Sequence, residues 1–308
     1  MNWAAMLYPL VAVMIWAMNA VVNKLSAGVI EPAAISFYRW VLAFLILTPF
    51  CIVGTWRNWQ QLKPLLWKFA VLGFLGMAVY QCLAYYAAYT ISATMIGIFL
   101  SLTPLLTIIL SLLILRTPLT VGLLVGSGLS FFGITWLISG GNPAILLDIG
   151  IGKGELMMLI AASAYALYGV LTMKWKIQAQ VSTWQSLYWQ VIFGVLILVP
   201  LFVMTDNVAI TRENVNLILF AGIPASIIAP FLWLQGVARL GASKTSLFMN
   251  LSPLFTAIIS ILFLHESLEP YHIIGGAICL IGVIIAQRVN KVVSLETLRK
   301  RANKKAFE

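Results

Sequence analysis

Leu102-Thr103-Pro104-Leu105 recurs as Leu251-Ser252-Pro253-Leu254, 149 positions further along the chain. The same shift aligns other residues of the two halves: Thr107 with Thr256, Gly126 with Gly275, Gly133 with Gly282, and Trp16-Ala17 with Tyr165-Ala166. The repeat therefore extends over nearly the whole chain rather than over one window. The second half is a diverged copy of the first.

The composition indicates which solvent surrounds the folded chain. Of its 308 residues 62% are hydrophobic and only 9% are charged, and the mean hydropathy is +1.00. A water-soluble globule of this length needs far more polar surface than that, so we expect the chain to be surrounded by lipid. Cys51, Cys82 and Cys279 lie in or at the ends of apolar segments without metal-ligand spacing, which indicates packing residues rather than disulfides.

Ten apolar segments are long enough to cross a bilayer, because a helix of about 20 apolar residues spans a hydrocarbon core about 30 Å thick. They lie near residues 3–23, 33–53, 68–89, 93–115, 120–139, 154–173, 184–204, 215–236, 243–264 and 271–287. The first lacks a basic n-region and has a repeat partner, so we expect it to be retained rather than cleaved as a signal peptide. The sequence predicts an all-α, polytopic membrane protein of ten transmembrane helices. Its parts are a first five-helix repeat over 1–141, a second over 142–288 and a basic tail over 289–308.

The distribution of lysine and arginine predicts the orientation of the chain. With a cytoplasmic N-terminus, 15 of the 19 basic residues lie on the cytoplasmic side, and only Lys24, Arg39, Lys153 and Arg212 lie on the other. The positive-inside rule therefore favours both termini in the cytoplasm. We expect a multi-pass protein of the cell (inner) membrane. Because five is an odd number, the second repeat must be inverted relative to the first. Inverted repeats are a recurring feature of secondary transporters, in which they enclose a site near the bilayer midplane.

Much of the net charge of +10 lies directly after the last span. The basic residues there are Arg288, Lys291, Arg299, Lys300, Arg301, Lys304 and Lys305. Anionic lipid attracts such side chains by about 1 kcal/mol each. We therefore expect the tail to contact anionic membrane lipid, and we expect no nucleic acid partner.

The order of several short motifs resembles one transporter family. The first span contains the run Ile15-Trp16-Ala17-Met18-Asn19, Arg39 lies early in the second span, and the two Leu-x-Pro-Leu motifs lie in spans four and nine. In this order, with the constant offset, the chain resembles the EamA family of the drug/metabolite transporter superfamily over about residues 5 to 287. The resemblance implies a ten-helix permease with a central cavity between the repeats, often an exporter of amino acids or other metabolites. It leaves the substrate open. The alternatives are a multidrug or toxic-compound exporter and a membrane-embedded lipid-handling protein or enzyme.

Polar and aromatic side chains recur on matching helices, which indicates a binding site for a small-molecule solute. Trp16, Asn19 and Asn23 share one helix face, and their repeat counterparts Tyr165, Tyr168 and Thr172 do the same. The candidate solute-binding residues are Trp16, Asn19, Gln81, Tyr85, Phe99, Thr103, Tyr165, Tyr168, Trp233, Gln235, Asn250 and Ser252. Anchoring of aromatic residues at the headgroups remains an alternative for Trp16 and its counterparts.

Three further residues are candidates for conformational roles. Pro104 and Pro253 each remove a helical hydrogen bond within a span, so we interpret them as hinges, with packing kinks as the alternative. Arg39 lies about two turns inside the second span, where an ionisable group is a functional candidate. We interpret it as a gating or structural residue. Contact with the substrate, pairing with Glu31 or Glu155, and extension to the headgroups remain open.

The glycines of spans five and ten indicate close helix contacts, within the bundle or between subunits. They are Gly122, Gly126, Gly128 and Gly133, and Gly275, Gly276 and Gly282. The sequence contains no acid at the middle of a span, no phosphate-binding loop and no catalytic or metal-binding motif. We therefore expect no cofactor, no bound metal and no enzymatic activity. The coupling ion, the direction of transport and the oligomeric state remain open.

Overall fold

The protein is described by a computed structural model, which covers residues 3–26, 28–91, 96, 99, 102–144, 152–206, 208–252, 254–255, 258–259 and 269–292. The first repeat begins with two long helices, α1 (Trp3–Ser26) and α2 (Pro32–Arg57). A continuous helical segment, α3, follows over Trp59–Ala87. Two shorter apolar helices complete this half, α4 (Thr103–Leu115) and α5 (Val121–Ile138).

The second repeat follows the same order. It contains α6 (Lys153–Lys174), α7 (Thr183–Val203) and the continuous helical segment α8 (Val215–Leu240). The helical turns Ala242–Ser246 and Leu247–Leu251 together form α9, and α10 covers Pro270–Arg288. In the described part of the chain the only strand-like pairing is an isolated bridge between Thr120 and Val292.

Seven of these helices are long and apolar enough to cross a membrane, and the all-α membrane fold predicted from the sequence is confirmed. They are α1, α2, α3, α6, α7, α8 and α10, counted within the described residues. The helices α4 and α5 are shorter, and the predicted ninth span at 243–264 lies partly outside the described residues. The third span was predicted to begin at residue 68, but the helical conformation begins at Trp59. It continues through Pro64 because a proline in the first turn of a 3-10 segment loses no hydrogen bond.

The close contact of α5 with α10 shows how the two repeats are related. A Cβ atom built on Gly126 would lie 2.5 Å from the carbonyl oxygen of Gly282, and one on Gly275 would lie 2.7 Å from that of Gly133. These pairs run in opposite directions along the two helices, so α5 and α10 cross antiparallel. Between them, the Ser130 hydroxyl donates to the carbonyl oxygen of Cys279, its own counterpart 149 residues later, at 2.9 Å.

An approximate two-fold axis therefore passes between α5 and α10, and the repeats are inverted, as predicted. The glycines serve this contact within the chain, because only a hydrogen atom in place of a side chain lets the two backbones approach so closely. Gly128, on another face of α5, has no heavy atom within 4 Å of its Cβ position.

Two helices change to π-helical hydrogen bonding at matching places in the repeats. The π segment of α3 covers Gly73–Val79, and that of α8 covers Pro224–Ile228. The 149-residue shift aligns their last residues. Pro224 has no backbone N–H, which disrupts the regular ladder of α8, and the Ile228 amide donates to the Ile223 carbonyl five residues earlier at 3.4 Å. Such π segments occur frequently at functional sites.

Candidate functional site

A small cavity lies between the two repeats, next to both π segments. Its walls are formed by side chains of α1, α2, α3, α6 and α8. The lining residues are Trp16, Trp40, Gly76, Met77, Gln81, Tyr165, Tyr168, Ala225, Pro230 and Trp233. The cavity has a volume of about 10 Å³, which is room for about one water molecule. The side chains of its walls therefore leave little free space in this conformation.

Aromatic rings from three helices pack together along the wall of the cavity. Trp16 of α1 contacts Tyr165 of α6 edge to face, with the ring centroids 5.9 Å apart, and contacts Trp233 of α8 at 5.3 Å. Tyr165 also stacks on Tyr168 at 5.5 Å. Tyr165, Tyr168 and Trp233 are each less than a tenth exposed. These rings give the cavity a largely aromatic wall.

Two of the tryptophans also stabilise the irregular backbone at the cavity. The Trp40 indole N–H donates to the carbonyl oxygen of Met77 at 3.0 Å, and the Trp16 indole N–H donates to that of Ala225 at 3.1 Å. Both carbonyls belong to π segments. Non-helical backbone at membrane depth requires such partners, since lipid offers no hydrogen bonds. The cavity is therefore built where each repeat departs from regular α-helix.

Arg39 lies beside the cavity and is completely buried. Its Nε donates to the Ser226 hydroxyl at 2.7 Å, and its Nη1 donates to Gln81 Oε1 at 3.0 Å and to the Tyr85 hydroxyl at 3.3 Å. The guanidinium also lies 5.2 Å from the ring centroid of Trp40. These neutral groups hold Arg39, so it neither extends to the headgroups nor contacts Glu31 or Glu155.

Five of the residues selected from the sequence are brought together at the cavity. They are Trp16, Gln81, Tyr165, Tyr168 and Trp233. Trp16, Tyr165 and Tyr168 were found from polarity and aromaticity at matching positions of the two repeats. Gln81 and Trp233 were found as polar or aromatic residues within spans three and eight. Tyr85 contacts Arg39 instead of lining the cavity.

Other selected residues lie elsewhere among the described residues. The Asn19 side-chain amide donates to Asn23 Oδ1 at 3.0 Å. The Gln235 side chain donates to the Thr183 hydroxyl at 2.6 Å and accepts from Arg239. Thr103, Asn250 and Ser252 are buried and Phe99 is half-buried, but none of them lines this cavity. Their part in solute binding stays a prediction.

The two candidate hinges are placed differently. Pro104 lies in the first turn of α4, where the helix needs no N–H from it. Residues 100 and 101, immediately before this helix, lie outside the described residues, as does Pro253. The hinge interpretation of both prolines stays a prediction.

Several cavity residues were not selected from the sequence: Trp40, Gly76, Met77, Ala225 and Pro230. One signal was available, because Gly76 and Ala225 are counterparts under the 149-residue shift. Small residues at matching positions allow the backbone itself to form a wall. No sequence pattern singled out Ser226, whose hydroxyl accepts the hydrogen bond from Arg39 Nε. Within the described residues no group of His, Cys, Asp and Glu side chains could hold a metal ion.

Comparison with known proteins places these features in context. A family model described as "EamA-like transporter family" matches residues 3–139 and 152–287. The "Uncharacterized transporter YyaM" of Bacillus subtilis (strain 168) is 27% identical over 283 residues, which cover 91% of this chain and 92% of that protein. "Protein PecM" of Dickeya dadantii (strain 3937) is 30% identical over 235 residues, covering 75% and 77% respectively. A solved crystal structure of a protein with 17% identity has a TM-score of 0.73 and covers 94% of this chain and 98% of that one, which shows the shared fold.

Proposed function

The chain belongs to the EamA-like transporter family, and from this premise we propose that it exports amino acids or related small metabolites by alternating access. The observation that carries the proposal is the small cavity between the repeats, because both repeats contribute to its walls and both contribute an irregular π segment. A solute site between inverted repeats, next to broken helices, is the arrangement that alternating access requires.

The nature of the cavity walls supports a small solute rather than a catalytic role. Trp16, Tyr165, Tyr168 and Trp233 offer aromatic faces, and Gln81 offers an amide. Rearrangement of these rings changes the volume of the site without breaking a covalent or metal bond. Such walls suit binding and release, and we infer a transporter without enzymatic activity or cofactor.

The orientation of the chain in the membrane is part of the proposal. The excess of lysine and arginine on one side supports cytoplasmic N- and C-termini in an inner (cell) membrane. The tail at 289–308, most of which lies outside the described residues, would then contact anionic lipid. Five spans in each repeat, with Pro104 and Pro253 as hinges, would let the cavity open to either side in turn.

The proposal is tested by measuring the release of preloaded radiolabelled amino acids from overexpressing cells, with mass spectrometry of the medium for other metabolites. In Gly76→Leu a side chain enters the cavity, because a Cβ at this position already lies 3.0 Å from the Tyr168 ring. The matched control is Gly128→Leu, since Gly128 faces open space. We expect the parent and Gly128→Leu to release at least one solute faster than cells without the protein, and Gly76→Leu not to.

Equal release by the two variants would refute the central cavity as the transport path. No increase with the parent protein for any solute would refute export itself. Both variants need to be quantified in the membrane fraction, so that a loss of release is not confused with a loss of protein.

A further inference from the structure

The strongest unexplained feature of the protein is a buried positive charge without a negative partner. Arg39 is completely buried, and its hydrogen-bond partners are the neutral side chains of Ser226, Gln81 and Tyr85. In the part of the chain that the structure describes, no carboxylate contacts it. A cation removed from water is unfavourable unless an anion compensates it. The protein itself does not supply that anion among the described residues.

One nitrogen of the Arg39 guanidinium also lacks a hydrogen-bond acceptor within the described structure. Its Nη2 atom is buried and has no acceptor among the described residues, although Nε and Nη1 are both engaged. A guanidinium presents its N–H groups as a planar fork that matches the two oxygens of a carboxylate. The N–H groups on Nη2 of Arg39 can therefore donate to an acceptor such as a carboxylate.

A second unpaired donor lies in the cavity wall itself. The indole N–H of Trp233 is buried without a partner in the described structure, whereas those of Trp16 and Trp40 are both engaged. An indole N–H can only donate. Trp233 lines the cavity from the second repeat, and Gln81 and Trp40, which both contact Arg39, line it from the first. Arg39 Nη2 and the Trp233 indole N–H are therefore two buried donors that lack an acceptor in the described part of the chain.

We propose that the transported solute carries a carboxylate, which binds Arg39 through Nη2 when the cavity opens, while the Trp233 indole N–H donates to a further acceptor on the solute. The remainder of the solute packs against Trp16, Tyr165 and Tyr168. This assignment rests on the proposed transport function and narrows its substrates to organic anions and zwitterions. Arg39 is then a substrate-binding residue whose charge is compensated only in the loaded state.

The test compares carboxylates with their uncharged amides on the purified protein in detergent. The probe pairs are acetate and acetamide, benzoate and benzamide, and 3-phenylpropionate and 3-phenylpropanamide, each titrated by isothermal calorimetry at constant chloride. We expect at least one carboxylate to bind the parent protein at least ten times more tightly than its amide. Arg39→Gln should reduce this ratio to below about threefold, and Arg39→Lys should keep part of it. Trp233→Phe, which retains a ring but loses the N–H, should weaken binding of the carboxylate several-fold.

The matched control is Arg239→Gln, because Arg239 is an exposed arginine at the end of α8. It should leave the ratio unchanged. The proposal is overturned if the parent binds each amide as tightly as its carboxylate, if it binds no carboxylate, or if Arg39→Gln keeps the ratio. The comparison on the parent does not depend on any variant, so a misfolded Arg39→Gln protein does not remove the test. Export by the parent protein of an uncharged amide as fast as its carboxylate would leave the transport function standing and refute only the anion site.

Discussion

The antiparallel contact of α5 with α10 predicts a large difference between two identical substitutions on the same helix. In Gly126→Ala the new Cβ would lie 2.5 Å from the carbonyl oxygen of Gly282 and 2.6 Å from two atoms of Ala286. Ordinary contacts of a Cβ atom begin at 3.4 Å. The helices must therefore separate by about 1 Å, a gap that forfeits a quarter to a half of each van der Waals contact across the interface. In Gly128→Ala the new methyl group meets nothing within 4 Å.

The free-energy difference between these variants isolates the cost of that separation. Both replace glycine by alanine inside α5, so both gain about the same helix propensity, roughly 1 kcal/mol. Forcing an extra methyl group into a packed interface costs about 1–3 kcal/mol. We expect Gly126→Ala to be less stable than Gly128→Ala by about 1–3 kcal/mol. Its repeat counterpart Gly275→Ala should behave like Gly126→Ala, because its Cβ would lie 2.7 Å from the carbonyl oxygen of Gly133.

The measurement is reversible unfolding in mixed micelles, with dodecyl sulfate as the denaturant and tryptophan fluorescence as the signal. The free energy of unfolding is compared among the parent, Gly126→Ala, Gly275→Ala and Gly128→Ala. If Gly126→Ala were as stable as Gly128→Ala, the backbones of α5 and α10 could not be in close contact. The two-fold relation of the repeats through Ser130 and Cys279 would then lose its structural basis.

Two further predictions concern orientation and movement. A cysteine at Asn142, an exposed position, should react with an impermeant thiol reagent added outside intact cells, whereas one at Gln60, also exposed, should react only after the membrane is opened. The three native cysteines are buried and give a low background. Labelling of the opposite sidedness would contradict the predicted orientation. Pro104→Ala and Pro253→Ala each restore a backbone N–H at matching positions of the two repeats. Because the repeats are inverted and a shift of about 1.4 kcal/mol changes the ratio of two states tenfold, the two substitutions should bias opening of the cavity in opposite directions. Thiol accessibility in Ala225→Cys, at a position that lines the cavity, measures this bias. The same accessibility with and without each proline would reduce both prolines to packing kinks.

The membrane fold followed from the sequence because its signals are local. The length and hydropathy of a segment decide whether it crosses a bilayer, and these are read directly from the residues. The predicted limits of α6 and α7 accordingly differ by one residue from those in the structure. The constant 149-residue offset also predicted the inverted repeats, since five spans in each half leave no other arrangement.

The predicted start of the third span, at residue 68, lies after the start of α3 at Trp59. Hydropathy marks the apolar part of a helix and not its polar first turns, and Pro64 fits the first turn of a 3-10 segment that joins Trp59–Leu62 to the rest of the helix. Trp40 was missed for a related reason. Helical periodicity gives the face of α2 on which it lies, but not which neighbouring helix that face contacts.

The sequence by itself determined a lipid-embedded helical protein made of two inverted copies, and most of the aromatic wall of its cavity. Hydropathy and side-chain polarity are properties of short segments, and the repeat follows from comparing such segments 149 residues apart. Only the tertiary structure decided how Arg39 is held. Its partners Gln81 and Ser226 lie 42 and 187 residues away on α3 and α8, and contacts over such distances depend on how helices pack rather than on any local pattern. The same packing decided that Asn19 and Gln235 bond to neighbouring side chains while Gln81 lines the cavity. Several rotations of these helices about their axes would satisfy hydropathy equally well, and the fit of side chains between helices selects one of them.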